Sequence, residues 1–132
     1  MKPTSLVAAG LVASGASAAG INCNGSALCS REPGNLQHIL SYSGGLDDNR
    51  WYQNGQHIIC QTSTDNAGLC AFLKNTGGLP GREIKRLLIE LENHGCKKCG
   101  SVPAFYPSDN NSNSHGELTV NFVQGTNCQG IC

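Results

Sequence analysis

The spacing of the cysteines constrains this chain more than any other feature. Cys96 and Cys99 stand three apart in HGCKKCGSVP (His94–Pro103), just beyond an apolar helical pattern. Such a pair can be a redox centre, half of a zinc site or two anchors for disulfides. A redox pair needs a helix N-terminus to lower the pKa of the attacking thiol. This one follows a helix C-terminus, whose dipole disfavours a thiolate, although Lys97 and Lys98 oppose that effect. Zinc needs four ligands, and His94 with the two cysteines offers three. The reading that remains is a double anchor, in which each cysteine bonds a distant partner and clamps the helix end.

The rest of the cysteine pattern agrees. The chain has 132 residues and eight cysteines: Cys23, Cys29, Cys60, Cys70, Cys96, Cys99, Cys128 and Cys132. All follow a leader-like start, MKPTSLVAAGLVASGASA, with a basic Lys2, a short apolar run from Leu6 to Ala13 and a small-x-small site at Ala16-Ser17-Ala18. Residues 1–18 are expected to be a signal peptide and residues 19–132 a single domain. The apolar run is too short to span a bilayer. Secretion into an oxidising, extracellular setting makes four disulfides the default, but spacing alone does not choose their partners. With an aromatic fraction of 5%, so small a core needs covalent staples. Two N-glycosylation triplets occur, at Asn24 and Asn110.

Losing Lys2 leaves 9 − 1 = 8 basic residues against 9 acidic ones. No basic field favours nucleic acid or an anionic membrane, so neither nucleic-acid binding nor membrane insertion is expected. The protein is expected to act as a monomer, without cofactor or metal.

The clearest element is GREIKRLLIELENHG. Ile84, Leu87, Leu88 and Leu91 make one apolar face, Pro80-Gly81 marks the start, and Gly95 suits the left-handed position after the end. A second helix is expected from about Asn35 to Ser43, with Leu36, Ile39 and Leu40 inward and Gly44-Gly45 as its stop. Strands are expected at His57–Cys60, Leu69–Leu73 and Glu117–Val123, the last with strict alternation. Asn54-Gly55 predicts a hairpin turn joining Trp51-Tyr52 to His57-Ile58. SDNNSNSHG, from Ser108 to Gly116, reads as an exposed loop. Together these elements predict an α+β layer protein.

No catalytic motif emerges. The chain has no G-x-S-x-G, H-E-x-x-H or phosphate loop. His38, His57, His94 and His115 are scattered. Asp47-Asp48 reads as a solvated turn, and Glu90 and Glu92 do not face each other on a helix. Trp51 and Tyr52 could form a sugar platform, but burial against the hairpin is the simpler expectation. The expectation is a protein that is not an enzyme.

Four stretches together carry a resemblance: GINCNGSALCS near the N-terminus, CAFLKNT from Cys70, HGCKKCGSVP after the helix and GELTVNFV before a late cysteine. From about Gly20 to Cys128 the chain resembles the KP-four-like killer toxins, the virus-encoded smut-fungus toxin and its fungal relatives. The resemblance implies a small disulfide-stapled α/β-sandwich, an antiparallel sheet with helices packed on one face. It implies the bonds Cys23–Cys96, Cys29–Cys99 and Cys60–Cys128, which leaves Cys70 with Cys132. It also implies a secreted toxin that inhibits target cells by blocking calcium uptake through voltage-gated calcium channels. The family's activity is associated with a lysine two residues before the cysteine matching Cys60; here that residue is Ile58, preceded by His57. The basic residues expected to face a channel or other cell-surface protein are Lys97 and Lys98 first, then Arg82, Lys85, Arg86 and Lys74, with Arg50. The alternative is a secreted effector or interaction module that binds a protein or glycan partner without channel block.

Overall fold

The two longer helices form where the apolar spacing is helical, and hydrogen bonds at their termini fix their ends. In this computed structural model, residues 20–132 are described, and the expected leader lies outside the described residues. Helix α1 spans Leu36–Ser43. Asn35 caps it reciprocally: its Oδ1 accepts from the His38 N–H, and His38 Nδ1 accepts from the Asn35 N–H. Leu36 and Ile39 are buried, while Leu40 is half-buried. Helix α2 spans Gly81–Asn93 and buries Ile84, Leu87, Leu88 and Leu91, the four residues of the predicted stripe. It ends in a Schellman motif. The Gly95 N–H donates to the Glu92 carbonyl and the Cys96 N–H to the Leu91 carbonyl. Gly95 has φ +99°, a conformation that suits glycine. A short helix, α3, at Ser112–His115 lies within the stretch expected to be loop.

The strands are β1 (Trp51–Tyr52), β2 (Ile59–Thr62), β3 (Gly68–Lys74), β4 (Leu79–Pro80), β5 (Gly100–Pro103), β6 (Glu117–Val123) and β7 (Gly130–Ile131). Five of them form an antiparallel sheet in the order β5-β6-β3-β2-β7. Register pairs Ala71 with Val120 and Leu73 with Leu118, so these side chains share one face. On that face they join Leu36, Ile39, Ile84, Leu87, Leu88, Leu91 and Val102 in one buried cluster. The opposite face carries Thr119, Asn121, Cys60 and Cys70, the partners of the alternate register positions. The N-terminal segment lies over it. The Ser26 N–H donates to Asn121 Oδ1, and a 3-10 turn follows at Ala27–Arg31.

The expected α+β sandwich with helices on one sheet face is therefore the fold. Two expectations are corrected. Trp51-Tyr52 does not form a hairpin with His57-Ile58; it pairs with Leu79-Pro80 as a separate ribbon. The reason lies in Asn54. Its side chain accepts from the Thr76 N–H and hydroxyl and donates to the Thr76 carbonyl, tying the turn to the segment after β3. Gly55 keeps its positive φ, but its N–H donates to the Leu73 carbonyl. The second correction concerns disulfides. Cys60 is bonded to Cys70 and Cys128 to Cys132, in place of Cys60–Cys128 and Cys70–Cys132. Cys60 and Cys70 are register partners on adjacent strands, with Cα atoms 4.1 Å apart, so the β2–β3 pairing itself brings them within reach.

Cys23–Cys96 and Cys29–Cys99 form as implied, closing separations of 73 and 70 residues. In the chain-entropy model a loop of that length is worth about 4 kcal/mol. This settles the CxxC as a double anchor of the helix end.

Two substitutions test this account by urea denaturation. Leu88→Ala removes a fully buried side chain from the α2 stripe and is expected to cost about 2–5 kcal/mol. Nothing lies within 4 Å of a Cβ added at Gly95, so Gly95→Ala should cost only the conformational penalty of about 1–2 kcal/mol. A neutral Gly95→Ala would contradict the left-handed turn.

Candidate target-binding surface

The two clamp disulfides bracket Lys97 and Lys98 on one tight bridge. Its backbone is held a third way, because the Leu36 N–H at the start of α1 donates to the Lys97 carbonyl at 2.9 Å. The two lysines then diverge. Lys98 turns inward and donates to the backbone carbonyls of Glu32 and Ser30, pinning the end of the 3-10 turn. Lys97 is exposed, and no hydrogen bond or ion pair occupies its ammonium among the described residues. Beside it lies a groove of about 200 Å³ lined by Asn35, Gln37, Glu92, Cys96 and both lysines. Gln37 donates to Glu92 across it.

The remaining basic candidates are engaged within the fold. Lys85 reaches Asp48 at 2.8 Å. Arg86 pairs with Glu83 at 2.9 Å and donates to the Tyr106 carbonyl. Arg82 donates to Asn49 Oδ1 at 3.3 Å and to the Asp48 carbonyl. Lys74 lies 3.9 Å from Glu117. Arg50 sits over the Tyr52 ring, 4.7 Å from its centroid. Arg82, Lys85 and Arg86 do share α2, but Lys97 and Lys98 lie beyond its end.

Ile58 is 0% exposed; its N–H donates to the Ala71 carbonyl and its own carbonyl accepts from the Cys132 N–H. The position that the resemblance associates with a functional lysine is thus core here, and it carries no surface cation.

Trp51 reverses its expected burial. It is 54% exposed and lies against Gly78, where a Cβ would come within 2.3 Å of the indole nitrogen, while Tyr52 is fully buried. The sequence does not single out Phe105. It is 48% exposed and stacked at 4.0 Å on His115, which pairs with Asp109. A cavity of about 330 Å³ lies between Phe105, His115 and the Asn75–Leu79 segment. Only the pairing of Pro-Ala-Phe-Tyr-Pro with the polar loop could have hinted at it.

The chain is thus a small α+β protein clamped by two long-range disulfides, with an exposed lysine on the clamp. The chain belongs to the Kp4 family, whose family model matches residues 6–124. It is similar to the KP4 killer toxin of the Ustilago maydis P4 virus, with 36% identity over 107 residues, covering 79% of this chain and 80% of that toxin. It is a killer-toxin-like protein.

Asp48 supplies a titration test. The Lys85 ammonium holds its carboxyl below the ordinary value of 3.8, first by the hydrogen bond and then by its charge, with a smaller pull from Arg82. Because the folded value is depressed, this contribution to stability is present above the unfolded value and is lost as pH falls through the folded one. In Lys85→Gln, the Asp48 carboxyl should titrate at higher pH by NMR. The stability difference between variant and parent should vanish in strong acid.

Proposed function

We propose that the protein is secreted and inhibits growth of target cells by blocking calcium uptake at a cell-surface calcium channel. Lys97 is the side chain that contacts the channel. The observation that carries this reading is the exposed ammonium, unpaired among the described residues, on a bridge fixed at both ends by disulfides. A cation on a rigid mount can compete for an acidic pore entrance. Because the mount is already ordered, binding loses little conformational entropy. Lys98 supports the bridge from within. Arg82, Lys85, Arg86 and Lys74 are held by their own partners and shape the surrounding field. Family membership and the similarity to the viral killer toxin support toxicity as the activity.

A second reading is favoured by exposed Trp51 and Phe105. Large aromatic side chains held at a surface are frequent anchors for partners. In this reading the scaffold is an interaction module for a protein or glycan, without channel block.

Growth of fungal and plant cells exposed to the folded, oxidised protein, with and without added calcium, separates the two. Channel block predicts inhibition that added calcium relieves. It also predicts that Lys97→Gln weakens potency about tenfold, the effect of losing ~1.4 kcal/mol of binding, with an unchanged circular dichroism spectrum. Inhibition indifferent to calcium and to Lys97→Gln, or no inhibition at all, would refute channel block.

A further inference from the structure

The four cysteines outside the clamp gather in one place. Cys60 and Cys70 are bonded across β2 and β3 and are fully buried. Cys128 and Cys132 are bonded to each other and half-buried. The Cys132 Sγ lies 3.8 Å from the Cys60 Sγ. Beyond, His57 Nδ1 lies 3.7 Å from the Cys70 Sγ. A solvent-accessible disulfide thus touches a buried one, with an imidazole behind the buried leaving sulfur.

Disulfides exchange when a thiolate attacks a disulfide sulfur, and access decides which bond an external thiol opens. Opening Cys128–Cys132 would not free Cys132 to drift away. Gly130 pairs with Cys60 and Ile131 with Ile59 in the β2–β7 ladder, and the Cys132 N–H donates to the Ile58 carbonyl at 2.9 Å. A Cys132 thiolate would stay beside Cys60, as an intramolecular nucleophile.

We propose that this cluster is a thiol-reactive site, taking small thiols as its substrate class and passing their attack from the surface into the sheet. The thiolate of a small thiol, RSH, attacks the Cys128 Sγ. A bond between R–S and Cys128 forms, the Cys128–Cys132 bond breaks, and Cys132 leaves as a thiolate. The Cys132 thiolate attacks the Cys60 Sγ. The Cys60–Cys132 bond forms, the Cys60–Cys70 bond breaks, and the electron pair leaves on Cys70. His57 faces that sulfur and delivers its proton from solvent. A second RSH resolves the mixed disulfide, releasing RSSR and the Cys128 thiol. In sum, two RSH are oxidised to RSSR, and the protein gains two thiols, on Cys70 and Cys128, with a Cys60–Cys132 bond. The site does not depend on the channel-blocking reading, and its test reads bonds rather than toxicity.

Trypsin makes the exchange visible. Cleavage after Arg50, Lys74 and Lys98 puts Cys60 and Cys70 on one peptide, residues 51–74, and Cys128 and Cys132 on another, residues 99–132. The folded protein is treated with reduced glutathione, quenched with iodoacetamide and digested without reduction. The expected result is that treatment joins peptide 51–74 to peptide 99–132 through Cys60 and Cys132. Iodoacetamide should then mark Cys70 and Cys128, with the clamp disulfides intact. Labelling confined to Cys128 and Cys132 overturns the proposal. So does absence of labelling until the clamp itself is reduced, or finding the two peptides already joined before treatment. In the Cys128→Ser/Cys132→Ser double variant, labelling of Cys70 should fall at least about tenfold, because the intramolecular nucleophile is gone. Unchanged labelling of Cys70 there would equally sink it.

Discussion

The covalent clamp between the N-terminal segment and the end of α2 is the constraint from which the rest of the arrangement follows. A glycine in the left-handed region ends the helix, and the Schellman turn sets Cys96 immediately beyond it. From there Cys96 reaches Cys23 and Cys99 reaches Cys29. The N-terminal segment is thereby drawn over the polar face of the sheet while α2 covers the apolar one. Layers that a sparse aromatic core would hold weakly are bound together across the sheet's edge. The same clamp orders the Lys97 bridge, so the scaffold and the candidate contact residue share one cause.

Much of this was legible in the sequence where the signal is local and periodic. The stripe Ile84, Leu87, Leu88, Leu91 became the buried face of α2, and alternation in Glu117–Val123 became β6. Gly95 took the positive φ that its place after the stripe required. The double anchor could be argued from the helix end alone, but its partners, Cys23 and Cys29, came only from family resemblance. What escaped depends on contacts distant in sequence. Asn54-Gly55 has the right residues for a hairpin, yet the Asn54 amide finds Thr76, and that competition cannot be read from a dipeptide. The Cys60–Cys70 bond follows from β2–β3 register, which cysteine spacing does not encode.

The candidate surface was legible in part. Lys97 and Lys98 are adjacent in sequence and alike in chemistry, but the carbonyls of Ser30 and Glu32 claim only one of them. The α2 cations looked equally available, until Asp48, Asn49 and the Tyr106 carbonyl were placed beside them by folding. Trp51 and Phe105 show the reverse. An apolar side chain is expected inside, and only the shape of the fold leaves these two out.

The borders of the five-stranded sheet carry a consequence of their own. On one side β5 ends in Pro103, which has no N–H to offer, and Asn22 already exchanges hydrogen bonds with Ser101 on its outer rim. On the other side β7 is only two residues long. Neither border presents a long row of unclaimed N–H and C=O groups on which another chain could template. The sheet is thereby guarded against fibre-like self-association, by the N-terminal segment on one border and by the shortness of β7 on the other.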